Sequence, residues 1–175
     1  NTLTGEGIII AVADGGLDNS NECNSIESCN AANPNINSDF QGRIKTIISA
    51  TDNTGSCPDG DPHDLSGHGT HVSGIIAANK NSTGMHGVAY EAKIKPITIF
   101  DSSGAFDVTT AQLASAISNG SGSGYVAMNN SWGSSTTGSV TIDGTTRYYK
   151  RPAPSSLTTT ETNAWESAVT NTVIV

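Results

Sequence analysis

Positive charge is scarce in this sequence. Its 175 residues carry 8 Lys and Arg against 16 Asp and Glu, a formal net charge of −8. A nucleic-acid partner needs a basic footprint, and none is present. Aromatic residues make up only 5%. No apolar run approaches the ~20 residues needed to cross a membrane. The chain does not open on a basic segment followed by an apolar stretch, so any signal peptide is expected to have been removed or never included. No Cys-x-x-Cys spacing suggests zinc, and no internal repeat is found. The three cysteines leave two readings open. Cys23 and Cys29 lie close enough in a polar loop for a local disulfide, leaving Cys57 over, or all three are free thiols.

What is present suits one domain with a real core, since 35% of the residues are hydrophobic. The abundance of Asn, Ser, Thr and Gly beside few lysines fits a secreted or cell-surface protein. The acidic balance favours solubility and cation binding, but it names no partner.

Short apolar runs alternate with helical patterns. Residues 7–13 (GIIIAVA) are continuous and rich in β-branched side chains, which predicts a strand buried on both faces. Residues 43–50, 92–100, 124–129 and 172–175 are further strand candidates, and Pro96 predicts an edge or an irregularity in its strand. Helices are predicted over 71–79, over 107–118 with Asp107 as N-cap, and over 162–169. Residues 15–42 read as a long loop, and 134–160 as a surface insertion holding a hairpin. The alternation predicts an α/β fold with a mostly parallel sheet. Ligands of such sheets sit beyond the carboxyl ends of the strands. Polar residues stand at those ends: Asp14 follows the first run, and Asn129-Asn130-Ser131 follows YVAM.

The most specific motif is Gly67-His68-Gly69-Thr70-His71-Val72-Ser73-Gly74. A histidine between two glycines exposes its ring and lets backbone approach a substrate. Imidazole is the side chain best suited to take and return a proton near neutral pH. A carboxylate such as Asp14 can orient the ring and stabilise its protonated form. Taken singly, an Asp after a strand is often a turn or cap residue, and a lone His is usually structural.

Together these segments resemble the subtilisin-like serine proteases. Residues 7–16 resemble the segment carrying the family's catalytic aspartate, and 67–74 its catalytic histidine. Asn130-Ser131-Trp132-Gly133 resembles the strand lining the specificity pocket. The order Asp, His, pocket strand agrees with the family's Asp, His, Ser order. The resemblance implies a three-layer α/β fold, incomplete in this chain, with residues 1–175 forming part of the peptidase domain. It implies Asp14 as triad aspartate and His68 as general base and acid, within roughly 2.6–3.2 Å of each other. Ser131, Trp132 and Gly133 would form one wall of the cleft, pairing with an extended peptide. Gly104, Ala105 and Phe106 resemble the opposite wall, although Phe106 equally fits a core contact. Where the family usually has Ser or Thr after the aspartate, this chain has Gly15.

Residues 79–85 resemble the loop by which many subtilisins hold a structural calcium. The oxygen donors would be the Asn81 side chain, the carbonyls of Asn79, Thr83 and Met85, and a carboxylate such as Asp39. An ordinary polar turn is the alternative. No cofactor is expected for the chemistry itself. Three glycosylation sequons, beginning at Asn81, Asn119 and Asn129, read as chance matches in an Asn-rich chain.

The family's Gly-Thr-Ser segment, with the nucleophile, and its Ala-Gly-Asn segment, with the oxyanion donor, do not occur here. The chain stops at an apolar strand start, so a fragment is expected, inactive by itself. Its partners would be a protein or peptide substrate, a propeptide or the remainder of its own domain. Two other classes compete. His63, Asp64, His68 and His71 cluster as in a metal-dependent hydrolase, with the i, i+3 spacing of some helical sites. A subtilisin-like scaffold without a nucleophile would be a non-catalytic binding module.

Overall fold

The computed structural model describes residues 3–17, 37–45, 48–49, 64, 66–100, 108–121, 124, 127–132, 135–142, 144–152, 158–170 and 172–174. The elements run β1 (Ile9–Asp14), β2 (Ile48–Ser49), α1 (His68–Ala77), β3 (Lys93–Thr98), α2 (Thr110–Gly120), β4 (Ala127–Asn129), β5 (Ser135–Ile142), β6 (Thr145–Pro152), α3 (Thr159–Ala168) and β7 (Val173–Ile174). Five strands form a parallel sheet in the order β2-β3-β1-β4-β7, while β5 and β6 form a separate antiparallel pair. The α/β, mostly parallel architecture is the one expected. The chain lies to one side of β1 through β3 and then continues on its other side from β4. The strand order therefore reverses at β1, whose carboxyl end is Asp14.

Alternation along β1 sorts the core into two layers. Ala11 and Ala13 join Ile97, Ile99, Met128, the α2 residues Leu113, Ala116 and Ile117, and Ala168 of α3. Val12 faces the other way, toward Ile44, Ile94, Phe40, Leu17 and Ala77, with Val72 and Ile76 of α1 packed beside them. Two helices thus cover one face and α1 the other, giving three layers. The steps β2–α1–β3 and β3–α2–β4 cross the sheet in the same direction, yet their helices lie on opposite faces. The two crossovers therefore have opposite hands, and one departs from the right-handed rule. This puts α1 on the face of Val12 and, two residues on, of Asp14.

Several element boundaries differ from expectation. The first helix starts at His68 rather than residue 71, after Gly67 in the left-handed region (φ 75°). The second helix is capped by Thr109, whose hydroxyl accepts from Gln112 N while the Gln112 side chain accepts from Thr109 N; Asp107 lies outside the described residues. The last helix begins at Thr159, behind a matching Thr158–Glu161 capping box. Polar residues three apart carry both signals, which apolar periodicity overlooks. Within the 124–129 run β4 is described over Ala127–Asn129, and within the 43–50 run β2 over Ile48–Ser49, with 46, 47, 50, 125 and 126 outside the described residues.

The edge position expected from Pro96 is not found, because β3 lies between β2 and β1. Ile94 N donates to Arg43 O and Lys93 N to Ile8 O, so even-numbered amides of β3 face the β2 side. The missing N–H of Pro96 falls there. Pairing shifts at the same place: Ile44 pairs with Ile94, but Ile48 pairs with Ile97. The register between these two pairs thus differs by one residue, beside the position where residue 96 has no N–H to donate.

Candidate active site

Asp14 ends β1 on the α1 face and is 1% exposed. Its Oδ1 accepts the Gly15 N–H at 2.7 Å and lies 2.8 Å from His68 Nδ1. These two side chains are 54 residues apart in sequence. A carboxylate only accepts, so the hydrogen between them belongs to Nδ1 and the Nε2 lone pair is left over. The His68 side chain is 55% exposed, which opens the ring to a substrate. Such a pair can receive a proton at Nε2 while the buried carboxylate stabilises the imidazolium.

Backbone contact makes the approach possible. A Cβ on Gly69 would run into the backbone oxygen of Gly16 and come within 3.2 Å of Asp14 Cβ. The first turn of α1 therefore packs directly against the chain leaving β1. Gly67 has no side chain to cap that turn, and Asp64 serves instead. Its Oδ2 accepts the Thr70 N–H at 2.6 Å, and its Oδ1 accepts the Ser66 hydroxyl at 3.1 Å. Sequence reasoning weighed Asp64 only as a metal ligand. The overlooked signal was an Asp-x-Ser run just ahead of a helix without a polar N-cap.

Of the candidate cleft residues, Ser131 and Trp132 follow β4, whose Asn129 is in register with Val12. Ser131 is exposed and its hydroxyl accepts from Asn129 Nδ2 at 2.8 Å. Trp132 packs its ring against the α2 layer of the core. Gly104, Ala105, Phe106 and Gly133 lie outside the described residues, as do Cys23, Cys29, Cys57 and His63.

The calcium candidates converge in part. Asp39 and Asn81, 42 residues apart, are joined by an Asn81 Nδ2 to Asp39 Oδ1 bond of 2.7 Å. Asn79 N donates to the Asp39 carbonyl, Asn79 O accepts Asn81 N–H, and Thr83 N donates to Asn81 Oδ1. Ser82 and Gly84 take left-handed conformations, curling the loop (φ 68° and 67°). Met85 stands at its exposed end. Carboxylate, amide and carbonyl oxygens are the donor types that fit a hard cation. Arg43 donates to the carbonyls of Ala92 and Asp39. Burial pushes its pKa down, partly opposed by Asp39. Among the described residues no three His, Cys, Asp or Glu side chains group as a metal site.

With this geometry in view, the likeness to known proteins is specific. The sequence profile of the subtilase family matches residues 5–174. The chain belongs to the subtilase family, the subtilisin-like serine proteases. It is 35% identical over 108 residues to an intracellular serine protease of Paenibacillus polymyxa, covering 60% of this chain and 27% of that protein. It is 34% identical over 103 residues to subtilisin E of Bacillus subtilis, covering 58% of this chain and 21% of that one. The crystal structure of fervidolysin from Fervidobacterium pennivorans superposes with a TM-score of 0.63 at 26% identity, covering 98% of this chain and 21% of that one. The chain thus spans about a quarter of the length of these relatives.

Proposed function

We propose that these 175 residues are part of the peptidase domain of a serine endopeptidase, with Asp14 as orienting acid and His68 as proton shuttle. The observation that carries this reading is the 2.8 Å contact between a buried carboxylate and an exposed imidazole. The nucleophilic serine and the oxyanion asparagine would come from a segment outside the present sequence. In the reaction, His68 Nε2 takes the serine proton as Oγ attacks the peptide carbonyl. The proton then passes to the leaving amine, and water hydrolyses the acyl-enzyme by the same steps. Ser131–Gly133 and Gly104–Phe106 would hold the substrate between them as an added strand. Without the nucleophile this chain is inactive: that loss costs about 10⁶ in turnover, a value established for subtilisin itself.

Composition, and relatives named as extracellular or cell wall-associated, support secretion, although another relative is named as intracellular. Among the described residues no helix is long and apolar enough to cross a membrane. A folding-assisting propeptide and a protein substrate are the partners proposed. Asp39, Asn79, Asn81, Thr83 and Met85 are proposed to hold a structural calcium, tested by the rise in Tm on adding calcium and its loss in Asp39→Asn.

The test of the main reading is covalent labelling of the full-length protein with a fluorophosphonate. A labelled serine, with labelling lost in Asp14→Ala and His68→Ala, is expected. No label and loss of activity in chelator would favour a metal-dependent hydrolase. No label and no activity, with retained peptide affinity, would favour a binding module.

A further inference from the structure

Gly15, where this chain departs from the family's Ser or Thr, has a specific neighbour. A Cβ built on Gly15 would lie 2.5 Å from Asp64 Oδ1 and 3.4 Å from Ser66 Oγ. Any side chain there displaces Asp64. Asp64 has little freedom to move, being 7% exposed and bonded through both oxygens. Its Oδ2 holds the Thr70 N–H directly, and its Oδ1 holds Ser66 Oγ, which in turn accepts the His68 N–H at 3.2 Å. Those two N–H groups belong to the first turn of α1, where no intrahelical acceptor exists. A carboxylate at that end also opposes the positive pole of the helix dipole.

We propose that Asp64 is a positioning residue for His68. Its carboxylate replaces the side-chain cap that Gly67 lacks, and Gly15 is the clearance that lets this cap rest against the end of β1. The same carboxylate bears on both: it lies against Gly15, whose N–H donates to Asp14, and it holds His68 through the His68 amide and Ser66. One buried group therefore sets how far the end of β1 lies from the start of α1. Its effect on turnover rests on the reading of Asp14 and His68 given above, but its effect on their contact does not.

The test is a double-mutant cycle in the full-length protein, read by solvent exchange of the downfield His68 Nδ1–H proton and by Tm. Gly15→Ala and Asp64→Ala should each speed that exchange at least tenfold. The double variant should exchange no faster than Asp64→Ala, because without the carboxylate the clearance is no longer needed. Asp64→Asn keeps an acceptor oxygen and should recover exchange to within threefold of the parent; it also serves if Asp64→Ala fails to fold. The proposal is overturned if Gly15→Ala leaves exchange within twofold of the parent, or if the two substitutions multiply. It is equally overturned if Asp64 variants lower Tm while leaving exchange unchanged, which would make Asp64 a cap and nothing more. The exchange readout needs no activity, so an inactive parent would sink the protease reading without deciding this one.

Discussion

The corner where β1 meets α1 and the hairpin β5–β6 are built on opposite principles. The corner joins residues 54 apart in sequence through a buried carboxylate, with glycine backbone pressed against backbone. The hairpin joins neighbours: Ile142 pairs with Thr145, and Gly144 before Thr145 has φ 74°. Its register runs without interruption to Ser135 and Pro152. Yet it buries little, for Val140, Ile142 and Tyr148 are all exposed. A local pattern is enough to form a ribbon, whereas a buried polar contact needs the whole sheet to be in place first. Chemistry should therefore be fragile at the corner and tolerant at the hairpin.

The largest effect should be on turnover in the full-length protein. His68→Ala is expected to lower kcat by about 10⁶. Replacing residues 136–151 by a short Gly-Ser link should change it by less than about tenfold, as befits an exposed excursion. Equal losses would make the hairpin part of the site. Next in size is stability. Ile97→Ala, in the layer under β1 and α2, should cost about 2–5 kcal/mol by denaturant unfolding. Ile142→Ala on the exposed ribbon should cost under about 0.5 kcal/mol.

Gly144→Val forces a β-branched residue into a left-handed turn, at a cost of about 1–2 kcal/mol. Hydrogen exchange should show the hairpin amides opening while those of β1 and β3 keep their protection. A global loss of protection would mean that ribbon and sheet are coupled. The smallest effect concerns the cap of α3. Hydrogen bonds from Thr158 backbone and side chain lower the Glu161 pKa below its ordinary 4.5. A depressed folded value means the contribution is complete above the unfolded value and is lost as pH falls through the folded one. Thr158→Ala should cost about 1 kcal/mol at neutral pH and flatten the acid dependence of Tm below pH about 4.5.

Much of the fold was legible because it is written locally. The apolar run 7–13 carries the signature of a strand buried on both faces, and β1, over Ile9–Asp14, has both faces covered. The hairpin was legible only as part of a Ser/Thr/Gly-rich surface insertion over 134–160. Less legible was Pro96, because its tolerance inside the sheet depends on which neighbour its nitrogen faces. The capping role of Asp64 was hidden for a similar reason: a carboxylate near three histidines draws the eye as a ligand until the helix start beside it is seen to lack a polar N-cap.

For the pair at the centre of the candidate site, the sequence alone supplied the residue types and their order. It placed a carboxylate at a strand end and an imidazole between glycines, in an order shared by one family. Tertiary structure decided the rest. Side-chain alternation turned Asp14 to the face of Val12, and a crossover of opposite hand brought α1 to that same face. The bare backbones of Gly15 and Gly69 then allowed the two elements to close to hydrogen-bonding distance. Such contact depends on the hand of a connection and the space beside a Cα, which no run of residues records, because both arise only when distant segments pack together.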